Sequence, residues 1–322
     1  PCPARDKVSW RTLCLRTVMG RGGVMTLYEQ IGERIGEATG QPFRPRHAFS
    51  RGGGCISEGV VLEDGARRYF VKLNAAGRLP MFVAEVEGLR ELAAARALRV
   101  PEPIVYGEAG GQSFLVLECL NLEGPDQPER LGEGLAALHS HTAGQYGLAR
   151  DNFIGTSIQH NAPSGDWPGF WTRCRLEPQL KMAARNGAGC DLLELGEALM
   201  TSLSAFFTDY RPVPSLLHGD LWGGNYGYVP GGDAGTGEPV VFDPAVYYGD
   251  READIAMTEL FGGFSLRFRH AYEAIWPLDP GYGVRRQLYN LYHVLNHFNL
   301  FGGGYAEQAS RMMRRLLSEV RG

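Results

Sequence analysis

His218-Gly219-Asp220-Leu221-Trp222-Gly223-Gly224-Asn225 is followed, after a glycine-rich loop, by the strand-like run Pro239-Val240-Val241-Phe242-Asp243. An aspartate thus stands four intervening residues before an asparagine, and a second aspartate ends an apolar run. The residue types suit one chemistry. A hydroxyl is a poor nucleophile until a carboxylate orients it and accepts its proton, which makes Asp220 the candidate base. Asn225 and Asp243 offer hard oxygen ligands, the kind Mg²⁺ takes while it bridges phosphates and spreads their charge. The spacing points to phosphoryl transfer from ATP. An H-x-D-x-x-x-x-N loop alone can arise by chance, but Asp243, placed as it is, makes chance the poorer account.

That chemistry requires an upstream phosphate cradle, and a candidate exists. Arg51-Gly52-Gly53-Gly54-Cys55-Ile56-Ser57 sits between short β-like runs, and the next strand, Arg68-Tyr69-Phe70-Val71-Lys72-Leu73, carries a lysine among apolar residues. Three glycines let backbone N–H groups approach phosphate closely. Lys72 then supplies positive charge for the α- and β-phosphates. The loop is neither G-x-G-x-x-G nor a Walker A sequence, and a plain turn is the alternative; its place before Val71-Lys72 favours the cradle. A strand lysine among apolar groups needs a carboxylate partner. On the helix expected from Pro80 to about Leu98, Phe82, Glu85, Leu89 and Leu92 share one face, while Glu87 and Glu91 point away. The expected pair is Lys72–Glu85 rather than Lys72–Glu87.

Composition is that of a globular protein: of 322 residues, 44% are hydrophobic and 21% charged, enough chain for two lobes and a sizeable core. The 44 glycines and 19 prolines stay below the roughly 25–30% that marks low complexity. A net charge of −4 leaves no basic footprint for nucleic acid. No run of about 18 apolar residues is present, so no membrane span is expected. Cysteines at 2, 14, 55, 119, 174 and 190 form no C-x-x-C pair, which fits a reducing, cytoplasmic setting. Residues 1–24 are basic and transit-like in look. The simpler reading is an upstream extension, because Thr26 and Glu29 make a capping box that opens a helix near Met25.

Taken in order, these motifs resemble the fructosamine kinase (ketosamine 3-kinase) family, relatives of aminoglycoside and choline kinases. The likeness rests on Gly52 to Ser57, Phe70-Val71-Lys72, Met81-Phe82 with Glu85 to Leu89, Val100-Pro101-Glu102-Pro103, Leu216 to Asn225, Phe242 to Ala245, Tyr248-Gly249, Leu260 to Phe264 and Leu295-Asn296-His297. It implies an α+β, protein-kinase-like fold: an N-lobe of small antiparallel sheet with one key helix over 25–118, a hinge at 119–121 and a larger helical C-lobe over 122–322. Expected elements are a first helix from Thr26 to Thr39, a hairpin at Asp64-Gly65, and strands at Ile104 to Tyr106 and Ser113 to Glu118. Around the hinge, the backbone of Glu118 and Leu120 would meet adenine. C-lobe helices are expected over Pro128–His141, Pro168–Arg185, Asp191–Tyr210, Arg251–Leu260, Val284–Leu300 and Glu307–Val320. The stretch from Thr142 to Asp166 reads as a long connection, either functional or a variable surface insertion.

The resemblance also implies cofactors and roles: ATP and Mg²⁺, and as acceptor a ketosamine on a small molecule or a protein lysine. It implies no nucleic-acid or membrane partner, and a monomer or weak dimer. Instead of a D-F-G motif and a long activation loop, Asp243-Pro244-Ala245 leads directly to Asp250-Arg251-Glu252-Ala253-Asp254. Asp254 is expected either to support the catalytic loop or simply to sit at a helix N-terminus. Trp222 stacks on the acceptor or packs in the core; His297 is an acceptor-side residue or a structural histidine. Cys55, beside amides that attract anions, is a candidate redox switch, with small loop filler as the alternative. Two other functions stay open: another small-molecule kinase of this fold, and a non-catalytic nucleotide-binding scaffold. The four residues Lys72, Asp220, Asn225 and Asp243 weigh against the scaffold.

Overall fold

The computed structural model describes residues 25–51, 56–232 and 235–321. They form two compact units, one of residues up to Arg90 with Pro101–Asn121, the other of Glu91–Val100 with residues from Leu122 onward. Residues 1–24 and Gly52, Gly53, Gly54 and Cys55 lie outside the described residues, and with them the expectations for the extension, the glycine cradle and the redox cysteine.

In the first unit, α1 (Leu27–Thr39) starts at the expected capping box: Thr26 accepts from the Glu29 amide while the Glu29 side chain returns to the Thr26 amide. It ends at Gly40, whose φ of 69° a side chain would resist. Strands β1 (His47–Arg51), β2 (Glu58–Glu63), β3 (Arg68–Ala75), β4 (Pro103–Ala109) and β5 (Gln112–Glu118) form one antiparallel sheet in the order β1-β2-β3-β5-β4. Period-two alternation sends Val60, Leu62, Val71, Leu73, Phe114 and Val116 to one face, where they bury Ile31 and Ile35 of α1. Lys72 projects from the opposite face, in register with Gly59 and Leu115. Helix α2 (Leu79–Ala95) ends three residues before the expected Leu98. Arg96, just beyond it, has a φ of 52°, which breaks the helical course.

The second unit is mainly helical: α3 (Pro128–His139), α4 (Trp167–Trp171), α5 (Glu177–Arg185), α6 (Cys190–Thr201), α7 (Glu252–Leu260), α8 (Leu266–Ile275), α9 (Tyr282–Phe301) and α10 (Tyr305–Arg321). The expected single helix over 168–185 is interrupted by a π-helical turn at Thr172–Leu176. Pro178 gives the cause. It has no N–H to return to the Cys174 carbonyl, and the Arg175 side chain takes that carbonyl instead at 2.9 Å. The helix expected to run to Tyr210 stops at Thr201, with a 3₁₀ turn at Leu203–Phe207.

Two features were not anticipated. Helix α8, capped by the Ser265 hydroxyl, packs so tightly on α3 that a Cβ at Gly132 would lie 2.4 Å from the Phe268 carbonyl oxygen. The expected connection from Thr142 to Asp166 contains a hairpin, β6 (Asn152–Ile154) with β7 (Ser157–Gln159), and buries Asn152, Gln159 and Asn161. Strands β8 (Ser215–Leu217), β9 (Tyr226–Pro230), β10 (Gly237–Val241) and β11 (Tyr247–Gly249) pair as β8 with β11 and β9 with β10. A core of Leu135, Trp167, Phe170, Trp171, Tyr289, Tyr292 and their neighbours lies beneath them.

Candidate active site

The loop between β8 and β9 carries Asp220 and Asn225, and the loop between β10 and β11 carries Asp243. Backbone bonds tie the two loops together: the Ala245 amide donates to the His218 carbonyl at 2.8 Å, and the Phe242 amide to the Asn225 carbonyl at 3.0 Å. Gly219, at φ 81°, is obligatory. A Cβ there would stand 2.0 Å from the Ala245 carbonyl oxygen.

Asp254, from the first turn of α7, holds the loop from below. Its Oδ2 accepts from the His218 amide at 2.7 Å and its Oδ1 from the Gly219 amide at 2.8 Å. His139 Nε2 approaches the same Oδ2 at 3.2 Å, while its Nδ1 meets the Tyr272 hydroxyl at 2.8 Å, which in turn accepts from Arg251 at 3.0 Å. Burial works to raise the Asp254 pKa, but the hydrogen bond from His139, the neighbouring imidazoles and the Gly219 amide outweigh it and hold the carboxyl below its ordinary value. Burial keeps the His218 imidazole neutral by lowering its pKa. Its Nε2 reaches the Phe242 carbonyl at 3.1 Å and must carry the proton, so Nδ1 accepts from the Asp220 amide at 3.3 Å. His139, Tyr272 and Arg251 were not singled out from sequence. The one available signal was His139 on the apolar face of α3.

The half-buried Asp220 has its pKa pushed up to about 7, first by burial of the carboxyl, then by the negative charge of Asp243, against the lowering effect of a hydrogen bond from Asn225. Asn225 Nδ2 donates to the Asp220 carbonyl at 2.9 Å, to Asp220 Oδ2 at 3.2 Å and to the Asp243 carbonyl at 3.4 Å. Two of the three partners are backbone carbonyls, which only accept, so the amide is oriented with Oδ1 turned away from them. Asp243 has a φ of 58°. Aspartate tolerates this left-handed region better than most residues, at a cost of roughly 1–2 kcal/mol.

The carboxylates of Asp220 and Asp243, with the Asn225 side chain bridging the two loops, bring together hard oxygen donors suited to a hard cation. Among the described residues no cluster of three or more His, Cys, Asp or Glu could hold a metal alone.

The Trp222 indole folds back over Gly224, where a Cβ would meet the ring at 2.3 Å. It is half-buried, outside the core cluster. His297 lies among Phe261, Phe301 and Tyr305, at ring-centroid distances of 4.9, 5.6 and 5.3 Å. Its Nδ1 donates to the His293 carbonyl at 2.7 Å, leaving Nε2 as an acceptor in the neutral ring, and burial lowers its pKa.

In the other unit, Lys72 Nζ lies 2.6 Å from Glu85 Oε1, and both side chains are largely buried, at 11% and 15% exposure. Ile56 and Ser57 precede β2, where the Ile56 carbonyl and the Ser57 hydroxyl each accept from Asn74 Nδ2 at 3.2 Å. Glu118 ends β5, and its amide donates to the Glu102 carbonyl at 2.8 Å. Leu120, two residues on, is half-buried.

The fructosamine kinase family model matches residues 27–319. The chain is 45% identical over 293 residues to the "probable ketoamine kinase" of Synechocystis sp., covering 90% of this chain and 97% of that one. It is 36% identical over 293 residues to the mouse ketosamine-3-kinase, covering 82% and 93%. A solved structure from Haemophilus somnus that carries a provisional fructosamine-3-kinase name superposes with a TM-score of 0.81 at 29% identity, over 90% of this chain and 98% of that one. The fold is α+β and protein-kinase-like, and the chain belongs to the fructosamine kinase family.

Proposed function

We propose that the protein is an ATP- and Mg²⁺-dependent ketosamine 3-kinase, which phosphorylates the C3 hydroxyl of sugars attached to amines. Fructosamine, ribulosamine and erythrulosamine adducts are the substrate class, free or on protein lysines. A C3 phosphate labilises such an adduct, so the process served is deglycation. Membership of the family supports the substrate class. The observation that carries the chemistry is the set of paired loops in which Asp254 fastens His218 and Gly219, so that Asp220, Asn225 and Asp243 converge.

In this reading Asp220 orients the acceptor hydroxyl and takes its proton. Asn225 and Asp243 would hold Mg²⁺, which when bound would offset the negative charge of the phosphates. Glu85 orients Lys72 toward the α- and β-phosphates. Trp222 offers an indole face to the sugar or its protonated amine, and the His297 Nε2 lone pair serves a hydroxyl. The six cysteines form no C-x-x-C pair, and on that pattern we assign the protein to the reducing cytoplasm.

The test is ADP release with a panel of fructosamine, ribulosamine and erythrulosamine adducts of lysine, free and on protein, beside aminoglycosides, choline and free sugars. Turnover on ketosamines, with phosphate on C3 by NMR, is expected. Turnover confined to the other alcohols, or phosphate at another carbon, rejects the assignment.

A further inference from the structure

Arg175 is wholly buried, yet among the described residues no carboxylate lies within ion-pairing distance of it. Its guanidinium donates to the carbonyls of His160 and Cys174 and, at 2.9 Å, to Asn161 Oδ1. It lies over the Tyr247 ring at 4.0 Å and the Phe170 ring at 4.8 Å. Its Nε has no acceptor. Burying a cation without a counter-charge is costly, and an apolar side chain of similar volume fills such a space without that cost. Packing alone therefore does not account for an arginine here.

What the arginine touches leads to the catalytic loops. Asn161 Nδ2 donates to Asn152 Oδ1 at 2.8 Å, and Asn152 Nδ2 donates to the Val246 carbonyl at 2.7 Å. Gln159 Nε2 donates to the same Asn152 Oδ1 at 2.9 Å and to the Ala245 carbonyl at 3.0 Å, while its Oε1 accepts from the Tyr292 hydroxyl at 2.9 Å. Ala245 and Val246 are the second and third residues after Asp243. The Ala245 carbonyl stands over Gly219, and the Ala245 amide bonds His218.

The row has a direction. A guanidinium only donates and a backbone carbonyl only accepts. With Arg175 at one end, Asn161 must present oxygen to it and nitrogen to Asn152. Asn152 must then present oxygen inward and nitrogen to Val246. Were Asn161 reversed, two donors would face each other at Arg175 and two oxygens at Asn152, and Asn152 could escape only by turning its own oxygen on the Val246 carbonyl. We infer that Arg175 is a positioning residue for phosphoryl transfer: it anchors the Asn161 end of this buried amide row, whose direction the Val246 carbonyl demands from the other end, and thereby holds the Ala245–Val246 backbone that seats Asp243 against the catalytic loop. The inference rests on the phosphoryl-transfer reading above.

The test uses the full-length protein with two variants. In Asn161→Asp the carboxylate still accepts from Arg175, and gives it a counter-charge, but has no proton for Asn152. In Arg175→Met the volume stays and the donor is lost. Hydrogen exchange reads the backbone of residues 241–249, and calorimetric titration of ATP binding against Mg²⁺ reads the site without turnover. In both variants exchange over 241–249 rises roughly tenfold, as for one lost buried hydrogen bond, and the half-saturating Mg²⁺ concentration rises with it, while exchange in α9 is unchanged. Unchanged exchange over 241–249 overturns the inference. So does faster exchange with unaltered Mg²⁺ dependence, or a loss of protection spread through α9, which marks a purely structural role. A parent protein that binds no Mg·ATP would overturn the phosphoryl-transfer reading itself, and that outcome shows in the parent before any variant is compared.

Discussion

The two units secure a buried charge in opposite ways. In the sheet unit one carboxylate faces one ammonium: Glu85 meets Lys72 at 2.6 Å. In the helical unit Asp254 is shared among two backbone amides and His139, with Tyr272 and Arg251 behind. The Lys72–Glu85 contact joins one side chain to another, so the charge on either should be separable from the fold. A network spreads its bonds over four segments of chain, so its centre should not be. Asp220 is a third case, attached to the network through the loop it stands on but absent from its bonds.

The largest effect separates Asp220 from the network below it. Asp220→Asn should lower kcat by ~10²–10⁴-fold, the usual worth of a general base, while ATP binding and melting temperature stay near those of the parent. A fall in melting temperature matching the loss of rate would make Asp220 part of the scaffold and erase the distinction.

Next comes the centre of the network. Asp254→Ala strands the His218 and Gly219 amides and His139 in the interior, and should cost about 3–5 kcal/mol of stability, as for breaking a buried polar pair. Asp254→Asn should lose less, because its remaining oxygen still accepts from one of the two amides. Equal destabilisation by the two, measured by urea unfolding, would show that charge rather than hydrogen-bond geometry holds the loop.

Sequence made the pair legible and most of the network illegible, for a physical reason. Lys72 on a strand of period two and Glu85 on a helix of period 3.6 each declare a face, and they stand only 13 positions apart. Asp254 could be named, but its alternatives stayed open, because His139 and Tyr272 come from α3 and α8 and no local pattern announces their meeting. Helix α8 itself went unseen: Leu266 to Ile275 is interrupted by Arg267, Arg269 and His270, and its apolar face is defined mainly by Gly132 of α3, which admits Phe268 closely. The Asn152, Gln159 and Asn161 amides read as loop polarity for the same reason. The acceptors of Asn152 and Gln159, the Val246 and Ala245 carbonyls, lie far along the chain, and a polar residue looks like a surface residue until its partner is known.

The pair gives a smaller and cleaner effect than the network. Glu85→Gln keeps the shape and removes the charge that holds Lys72 Nζ. A hydrogen bond between charged groups is worth about 1.5–3 kcal/mol, so the nucleotide dissociation constant should rise roughly 10–100-fold, with little change in melting temperature. Unchanged nucleotide affinity would remove Lys72 from the phosphate site. A collapse of stability would mean that the pair is as structural as Asp254.

The smallest effect is a slope with pH, and it asks whether the network's neighbour His293 is neutral in the fold. His293 is buried on α9, and its pKa is lowered to about 3, first by burial, then by the charges of His297 and Arg175, against the opposing influence of Asp254. In the unfolded chain it titrates near 6.5. Between those values the unfolded chain takes up a proton that the fold refuses, so the stability contributed by neutral His293 is present above pH 6.5 and lost as the pH falls below it. One such histidine should lower the unfolding free energy by about 1.4 kcal/mol between pH 7.5 and 5.5. His218, also kept neutral by burial, adds a slope of the same sign. His293→Gln cannot titrate and retains the His218 slope. The gap between parent and variant should therefore narrow by that amount over the same interval, whatever the variant's stability at neutral pH. Curves that stay parallel in urea unfolding would mean that His293 takes up its proton in the fold as readily as in the unfolded chain, and a gap that widens toward pH 5.5 would mean that it is protonated in the fold, with Asp254 close enough to hold the charge.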